Sequence, residues 1–518
     1  MTKQVLTLMF VAILIVLGFP LFAAGQSATT SVSNRSQPQQ LPLSGNTPPG
    51  SVTTGQATAP AASRNSVNTL NSSIQIQGAF QGSTPAGVAT KETLLLSLDE
   101  AINRALAYNL GVIGARQAER QARAQRLGNL ARLLPDITGI GSVAVEQVSL
   151  TTLGLQSAKG IPGLQFARVI GPFNFFEAGA SISQALVDLT AVRNYRSSKE
   201  IAFATRLTVR DSRDLVILAV GGAYLQVVAE GARVDSAQAQ LETARALYEQ
   251  ATDQNRAGVN ARIDVNRSLV ELQTQQLRLI SLETDLATQK LALARLIGLP
   301  LGQTFMLSTA MEYHPTASIV LEEALNKAVE GRADLQAAQA QVRAAEQARK
   351  AAEAQHTPAV TLNGSYALAG VNPAQSNGVF AVFAGVDFPI WRGGRIQADI
   401  AEADAVLAQR RAEFEDASGR VDFEVRNAFL RLTATIRQLI VAESNRGLAQ
   451  DTLRQARDRF AAGVADTIEV VQAQESVATS EQDYISGLYA HYLARLSLAR
   501  ATGDTEQGIA DLLRSPGP

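Results

Sequence analysis

The chain has 518 residues, a formal net charge of −1 and 5% aromatic residues. A net charge this close to zero excludes the strong positive field of a nucleic-acid-binding protein, so we expect no nucleic-acid partner. The absence of cysteine excludes disulfides, thiolate chemistry and a lipid anchor on an N-terminal cysteine.

The N-terminal end of the chain has the pattern of a secretory signal peptide. Lys3 precedes the apolar run VLTLMFVAILIVLGFPLF, and the small residues AAGQS follow it. Ala23 and Gly25 suit cleavage after Gly25, which gives a signal peptide over residues 1–25. The alternative is an uncleaved membrane anchor, because the run approaches the length of a membrane span. No later apolar stretch reaches about 18 residues without interruption, so we expect no other transmembrane helix.

Residues 26–93 are predicted to form a disordered extension. They are rich in Ser, Thr, Gln, Asn, Pro and Gly and poor in large apolar side chains. A segment of this composition cannot bury enough surface to offset the entropy lost on ordering. We favour a passive linker over a segment that accepts a binding partner.

The rest of the chain consists of two similar halves. The helical pattern LSLDEAINRALAYN returns as IVLEEALNKAVEGR, so that Leu98 in the first half corresponds to Leu321 in the second. A second helix follows each pattern, at about 110–133 and 333–355. Each second helix stops before a proline, Pro135 or Pro358, and these prolines have the same offset between the halves as the two leucines.

After each proline the apolar period changes from 3.6 to 2, which predicts a pair of strands. The four predicted strands lie at about 137–149, 173–185, 359–370 and 378–390. The predicted apolar faces carry Phe176, Ala178, Ala180 and Ile182; Leu362, Gly364, Tyr366 and Leu368; and Phe380, Val382, Ala384, Val386 and Phe388. The opposite faces are smaller or more polar, with Phe383 as an exception. A Gly-rich connection separates the strands of each pair, at about 150–172 in the first half and 371–377 in the second.

Long stretches without proline follow both strand pairs and predict long helices. In the first half, a long helix is predicted over 189–255, a tip over 256–264, and a return helix that ends at 298. In the second half, the long helix is predicted over 394–460, the tip over 461–469, and the return helix ends at 502. The tip glycine Gly258 corresponds to Gly463 with the same offset that relates Gly298 to Gly503. A glycine between two helical patterns is typical of a helix-to-helix turn. We therefore predict a first repeat over 94–300, a link over 301–319, a second repeat over 320–505 and a tail over 506–518.

The strands predict a membrane barrel built from more than one chain. Four strands cannot enclose a solute-wide pore, and lipid does not tolerate open sheet edges. Strands of about 10 residues with one apolar and one polar face fit a transmembrane β-barrel. Aromatic residues near the strand ends would form its interfacial girdle: Phe173, Phe175, Phe388 and Trp391. The alternatives are a soluble β-domain for these aromatics and an ordinary coiled-coil seam for the helices.

Over about residues 94–505 the chain resembles the TolC-like outer-membrane efflux proteins. The shared features are the duplication, the openings LDEAINRALAYN and LEEALNKAVE, the prolines before the strands, and the motifs RAGVNARIDV and RFAAGVADTIEV. The resemblance implies a mainly α fold with transmembrane β structure. It implies a homotrimer whose 12-stranded outer-membrane β-barrel, held in outer-membrane lipid, is continued by a long periplasmic α-helical barrel. Such proteins are exit ducts for efflux or type I secretion and work with a periplasmic adaptor and an inner-membrane pump.

The resemblance also gives the two tips a role. Gly258 and Gly463 match the family's tip glycines, with Val259 and Val464 beside them, at the place where the adaptor docks. Glycine permits a left-handed backbone and the close approach of another chain. The alternative is that each glycine is only a helix cap.

Acidic residues just after the tips are the second candidate site. Glu469 matches an aspartate that narrows the family's entrance, and Gln472 replaces a second one. Asp264 is the corresponding acidic residue in the first repeat. In some relatives an arginine near the tip holds the entrance closed. Its position is occupied by Ala465 here, and Arg262 is the alternative residue for this role. Carboxylates gathered by three-fold symmetry would attract cations. The alternative is a solvated charge that the helix dipole stabilises.

No pattern in the sequence indicates an enzyme, so we predict no catalytic residue, bound metal or cofactor. The histidines at 314, 356 and 491 lack the spacing of zinc ligands. The phosphate-binding pattern GxxxxGK[ST] is missing, and GIG at 139–141 lacks the rest of a dinucleotide fingerprint. The alternative function is a periplasmic coiled-coil scaffold or adaptor protein without a membrane pore. An adaptor should have one helical hairpin flanked by all-β modules, and an adhesin with one C-terminal anchor should not have internal strands.

Overall fold

The computed structural model describes residues 36–41, 50–56, 72–149, 168–259, 261–308, 320–462, 464–506 and 508. The predicted signal peptide, residues 150–167 of the predicted long loop, and nearly all of the predicted tail lie outside these residues. The chain forms two compact units. Within the described residues, the strand unit contains residues 36–37, 134–188 and 357–389, and the helical unit contains residues 38–133, 189–356 and 390–508.

The predicted helices and strands of each repeat follow one another along the chain, and four further short strands, β1, β2, β3 and β6, were not predicted. The strands are β1 (Gly50–Gln56), β2 (Ser72–Gly78), β3 (Leu94–Leu96), β4 (Asp136–Ser149), β5 (Val169–Val187), β6 (Phe305–Leu307), β7 (Ala359–Gly370) and β8 (Ser376–Asp387). The helices are α1 (Leu98–Tyr108), α2 (Leu110–Ala131), α3 (Leu189–Arg256), α4 (Arg262–Leu296), α5 (Leu321–Gly331), α6 (Ala333–Glu353), α7 (Arg395–Ala461) and α8 (Thr467–Thr502).

The helical unit is built on two long hairpins, α3–α4 and α7–α8. Helix α3 has 68 residues and α7 has 67, which makes each about 100 Å long at 1.5 Å per residue. The largest core cluster joins side chains of α1, α3, α4 and α8, among them Leu98, Ile217, Leu293 and Leu496. Long helices of weak amphipathic character are therefore held by packing against each other rather than by propensity alone.

Helix α3 contains a stretch that is apolar and long enough to cross a membrane. Two-thirds of that stretch (67%) is buried inside the protein. Its residues from Val216 to Val220 belong to the helical core. We therefore assign this stretch to the core of the helical unit.

The predicted disorder of residues 26–93 is wrong for the residues that the structure describes. Strands β1 and β2 pair in antiparallel register, with Val52 opposite Ile76. Val52 and Phe80 are buried in the helical core, and Ile74 packs against that core. The segment does not need a core of its own, because a few apolar side chains enter a core that the helices provide.

The predicted link at 301–319 is also partly ordered. Its residues Phe305–Leu307 form β6, which pairs in parallel with β3 at the start of the first repeat. Phe305 is buried in the helical core. The remaining part of the link, 309–319, lies outside the described residues.

The strand unit is one antiparallel sheet in the order β4–β5–β7–β8. Its register places Ile137, Ile182, Gly364 and Val382 in one row across the four strands. The three larger side chains of that row are exposed. The four apolar strand faces thus form one exposed apolar face of a single sheet.

The opposite face of the sheet is more polar. Thr138, Ser181 and Ser365 share one row, and Ser183 donates a hydrogen bond to Asn363 at 2.8 Å. Phe383 lies opposite Asn363, as the exception in the pattern suggested. Strand β5 begins before the predicted residue 173, at Val169, so part of the predicted loop is strand.

Candidate functional site

The first tip joins α3 to α4 through a glycine in the left-handed conformation. Gly258 has a φ of 72° and donates a hydrogen bond to the carbonyl of Asn255 at 3.0 Å. The next amide, of Val259, donates to the carbonyl of Gln254 at 2.9 Å. These two bonds form a Schellman motif, which satisfies the last carbonyls of α3. Nothing lies within 4 Å of the position of a Cβ on Gly258, so backbone conformation and not packing requires a glycine there.

The second tip repeats the long hydrogen bond of the first. The amide of Val464 donates to the carbonyl of Arg459 at 3.0 Å, and both residues are the counterparts of Val259 and Gln254 in the first tip. Gly463 itself lies outside the described residues. Val259 is 71% exposed and Val464 is 67% exposed. Each tip therefore presents an apolar side chain to its surroundings.

The two acidic residues after the tips have different partners. Asp264 forms an ion pair with Arg267, one turn later on α4, at 3.4 Å. Glu469 instead pairs with Arg459 of α7 at 3.3 Å. This second pair links the end of α7 to the start of α8 across the tip. All four side chains remain at least partly exposed, so each pair is a weak bond that a partner or a change in charge could break.

The start of α8 has a cap that the start of α4 lacks. The side chain of Asp466 accepts a hydrogen bond from the amide of Glu469 at 3.2 Å, whereas Ala261 precedes α4 with no side-chain cap. Asp466 therefore satisfies one free amide of the helix and leaves the Glu469 carboxylate available. Gln472 lies on the next turn of α8.

The sequence interpretation missed Arg459 as the partner of Glu469. It considered an arginine that holds the entrance closed only at the tip positions 465 and 262, and not in the last turn of the preceding helix. A helix-to-helix turn brings the last turn of one helix beside the first turn of the next. Because Arg459 lies one helical turn before Gly463, that geometry was a usable signal.

A buried ionic cluster lies in the helical unit, among α3, α5, α6, α7 and α8. Arg332, between α5 and α6, donates two hydrogen bonds to Asp334 and one to Glu424 of α7. Arg500 of α8 forms an ion pair with Asp211 of α3. The sequence interpretation did not predict this cluster, because its members come from distant parts of the chain.

The histidines form no metal site in the part of the chain that the structure describes. No group of three or more His, Cys, Asp or Glu side chains there could hold a metal ion. His491 is fully buried in α8, and burial, with the nearby Arg495, lowers its pKa to about 4. His356 ends the short helix after α6, and His314 lies outside the described residues.

Comparison with known proteins identifies a family match over most of the chain. The profile of the family described as outer membrane efflux protein matches residues 101–299 and 324–504. These two matched segments fall in the two structural repeats. The boundary between them contains the link and the start of α5.

Individual relatives are similar over most of the chain at low identity. The outer membrane protein TolC of Salmonella enteritidis is 23% identical over 343 residues, covering 64% of this chain and 69% of TolC. The pyoverdine export outer membrane protein OpmQ of Pseudomonas aeruginosa is 26% identical over 438 residues, covering 80% and 87%. The structure of the CmeC outer membrane channel of Campylobacter jejuni superposes with a TM-score of 0.68 at 15% identity, covering 88% and 97%. This last similarity shows a shared fold.

Proposed function

This chain belongs to the outer membrane efflux protein family and resides in the outer membrane, and on that premise we propose that three copies form one export duct. Its relatives are outer membrane efflux channels and not enzymes. In the proposal, three four-stranded sheets close into a 12-stranded barrel in the membrane. The helical hairpins of the three copies form an α-helical barrel in the periplasm. The duct carries substrates of an inner-membrane pump through a periplasmic adaptor, in efflux or type I secretion.

The observation that carries the proposal is the open sheet with one exposed apolar face. Among the described residues, β4 and β8 have only one paired edge each. Unpaired backbone groups are not tolerated in lipid, so both edges need partners there. Strands β4 and β8 run in opposite directions, because the sheet is antiparallel and has an even number of strands. Pairing β8 of one copy with β4 of the next would therefore continue the antiparallel order around a closed barrel.

Exposed apolar side chains on the helices support a side-by-side arrangement of copies. Helix α4 carries Ile263, Val270 and Leu277 at heptad intervals, all exposed. Helix α7 carries the exposed pairs Phe423 and Leu430, and Val441 and Leu448, at the same interval. An apolar heptad repeat is the pattern of a coiled-coil seam. A second copy of the chain would cover these stripes.

Within this proposal the two tips dock the adaptor. Gly258, Val259, Gly463 and Val464 are the proposed docking residues. The support is the repeated tight turn, which exposes a valine at each tip. Crosslinking from a photoreactive residue at position 259 or 464 in living cells would identify the adaptor.

Three residues after the tips form the proposed entrance constriction. Asp264, Glu469 and Gln472 would each appear three times around the axis of a trimer. The closely spaced carboxylates would attract cations and repel one another. The Arg459–Glu469 pair offers a way to hold the entrance closed, because it fixes the first turn of α8 to the last turn of α7.

The mass and conductance of the detergent-purified chain test the duct proposal. We expect a particle of three chains in the outer-membrane fraction and stable cation-selective channels in planar bilayers. Leu277→Glu would place a charge in the proposed seam and should reduce the trimer fraction, whereas Gln273→Glu, at an exposed polar position of α4, should not. A soluble monomer without channel activity would contradict the duct and favour the periplasmic scaffold or adaptor.

A further inference from the structure

A short piece of the N-terminal region crosses one face of the helical unit. We call residues 38–41 the strap. The amide of Gln39 donates a hydrogen bond to Asn194 Oδ1 of α3 at 3.0 Å. The side chain of Asn129, near the end of α2, donates to Gln39 Oε1 at 3.1 Å. The strap is therefore fixed to α2 and α3 through one glutamine.

The strap also reaches α6 and α7. Gln40 Nε2 donates a hydrogen bond to Glu402 Oε2 of α7 at 3.1 Å. Ala348 and Ala352 of α6 line a groove together with the strap. Helix α3 packs between α2 and α6, and α6 packs between α3 and α7. The strap therefore crosses a layer of four helices, near the ends at which these helices continue into the strands.

One residue on each helix lies opposite a strap contact at the same distance along the chain. Nine residues are about two and a half helical turns, so a residue nine positions from a strap contact points to the other face of the layer. These residues are Arg120, Phe203, Arg343 and Arg411, opposite Asn129, Asn194, Ala352 and Glu402. All four are displaced away from the strands by about 13 Å along their helices. They form one row, since the Arg343 guanidinium lies 5.9 Å from the centre of the Phe203 ring.

The face that carries this row has more positive charge than its carboxylates neutralise. Glu200 pairs with Arg343 at 2.8 Å, and Glu346 pairs with Arg411 at 3.1 Å. Five further cations are exposed on this face and form no ion pair among the described residues: Arg116, Arg120, Lys199, Arg206 and Lys350. They lie roughly 120–180° around their helices from the strap contacts. Glu415 of α7 is an exposed carboxylate of the same face, so positive charge remains in excess.

The strap indicates which face would line the proposed duct. In a duct of three copies, one face of each helical layer borders the passage and the other borders the periplasm. A strap on the inner face would lay three peptide segments across the passage, and their continuation toward β1 would also lie inside it. The strap face is therefore the outer face, and the basic face borders the passage.

We propose that this basic face lines the duct near the strands and binds anionic groups of the transported molecules, such as phosphates and carboxylates. This inference rests on the duct proposal. Three copies would gather the unpaired cations around one passage, where they attract anions, and arginine suits carboxylate and phosphate groups. The first tip lies about 80 Å further along α3 than Phe203, far beyond the screening length of about 10 Å. The acidic entrance and the basic face therefore act on the cargo separately.

Single-cysteine variants test the assignment of the two faces, because the chain has no cysteine. Arg120→Cys places a thiol on the basic face. Gln125→Cys, one turn before Asn129 on the same helix, places a thiol at an exposed position of the strap face. Both trimers are labelled with a long polyethylene glycol maleimide, checked by mass spectrometry and measured in planar bilayers. Labelled Arg120→Cys should lose most of its unitary conductance, because the polymer fills the passage, and labelled Gln125→Cys should keep it.

Equilibrium dialysis with labelled inorganic pyrophosphate tests the anion binding on the trimer in detergent. Arg116→Gln/Arg120→Gln should raise the Kd for pyrophosphate about 3- to 10-fold, because two exposed cations are lost. Arg132→Gln/Arg395→Gln is the matched control. It removes the same charge from two exposed arginines on the strap side of α2 and α7, and it should leave the Kd unchanged. Trimer mass is compared for all variants.

Every other outcome overturns the inference. Loss of conductance from the label at position 125 and not at 120 would place the basic face outside, toward lipid or a periplasmic partner. A thiol at position 120 that does not react, or a label there without effect, would mean that this face does not border the passage. Equal Kd values for the two double variants would mean that pyrophosphate responds only to net charge. In these three cases the duct stands, whereas a chain that forms no channels before labelling contradicts the duct itself.

Discussion

The side chain of Ile74 lies directly over Gly222. A Cβ on Gly222 would stand 2.6 Å from Ile74 Cδ1, closer than carbon atoms pack, and 3.3 Å from Ile74 Cβ, a tight contact. The preceding Gly221 makes the same kind of room for Leu496 of α8, at 2.9 Å. Two adjacent glycines in the middle of α3 lower its helix propensity by about 1 kcal/mol each. In return, the β1–β2 hairpin and α8 pack close to its backbone.

Gly222→Val should therefore destabilise the helical unit. The added side chain displaces Ile74, and overpacking of this kind costs about 1–3 kcal/mol. Thermal melting measures the loss. Gly231→Val is the matched control, because Gly231 lies on the same helix with nothing within 4 Å of a Cβ. Equal melting temperatures for the two variants would show that the packing of β1 and β2 on α3 does not depend on this contact. Ile74→Ala should partly rescue Gly222→Val.

The contact between Ile74 and Gly222 shows why the N-terminal order could not be predicted from sequence. The composition of residues 26–93 describes the segment alone, while the surface that orders it lies far along the chain, at Gly222 in the middle of α3. The helices and strands were easier to predict, because their periodicity is local. Helix α3 begins at the predicted residue 189 and ends at Arg256, directly after the predicted end.

The candidate site shows the same limit. The sequence placed the first tip at Gly258, because glycine between two helical patterns is a local signal. The ion pair of Glu469 with Arg459 depends on how two helices meet.

Arg332→Met should strongly destabilise the protein. Arg332 is only 2% exposed and neutralises both Asp334 and Glu424. Burial alone would raise the pKa of Asp334, but the hydrogen bonds and charge of Arg332 hold that pKa below its usual value. Removing the cation takes three hydrogen bonds from Asp334 and Glu424, whose side chains are 24% and 41% exposed, and one hydrogen bond to a charged group contributes about 1.5–3 kcal/mol. Arg332→Lys should recover only part of the loss, because lysine cannot make the two-pronged bond to Asp334.

Thermal melting of Arg426→Met provides the control for Arg332. Arg426 pairs with Asp422 on the exposed surface of α7. Exposed ion pairs add little to stability, so this variant should melt close to the unmutated protein. A melting temperature for Arg332→Met equal to that of Arg426→Met would contradict a structural role for the buried cluster.

Asp214→Asn should stabilise the protein at neutral pH. Asp214 is 7% exposed. Burial raises its pKa to about 6, although Arg500 acts in the opposite direction. Because the pKa of Asp214 in the folded state lies above 3.8, the ordinary value for an aspartate, the folded state holds this proton more tightly than the unfolded state. Its contribution to stability is complete below pH 3.8 and is lost as the pH rises through about 6.

Melting curves from pH 4 to pH 8 test this linkage. The increase in the free energy of unfolding caused by Asp214→Asn should grow between pH 4 and pH 8 and reach about 1–3 kcal/mol at pH 8. Asp211→Asn should behave differently, because it removes the partner of Arg500. A pH-independent difference between Asp214→Asn and the unmutated chain would mean that this carboxyl does not titrate in the window.

Gly258→Val should reduce export while leaving the trimer intact. The φ of 72° at Gly258 is a conformation that a β-branched residue adopts only with strain. Since nothing surrounds the missing Cβ, the substitution changes the tip without disturbing the packing of the helices. Substrate export in cells and trimer mass in detergent measure the two effects. Gly128→Val, at an open position within α2, is the control. Normal export by Gly258→Val would remove the support for docking at this tip.

Glu469→Ala should lower the cation selectivity of the channel in planar bilayers. The substitution removes a negative charge after the tip and frees Arg459, so the local charge becomes more positive. Asp466 keeps its hydrogen bond to the amide of residue 469, since that bond does not use the Glu469 side chain. The helix should therefore start normally. Arg459→Ala should have the opposite effect, because it leaves the carboxylate unpaired. If the unmutated protein, Glu469→Ala and Arg459→Ala all have the same reversal potential, Glu469 only complements the dipole of α8 and does not line the entrance.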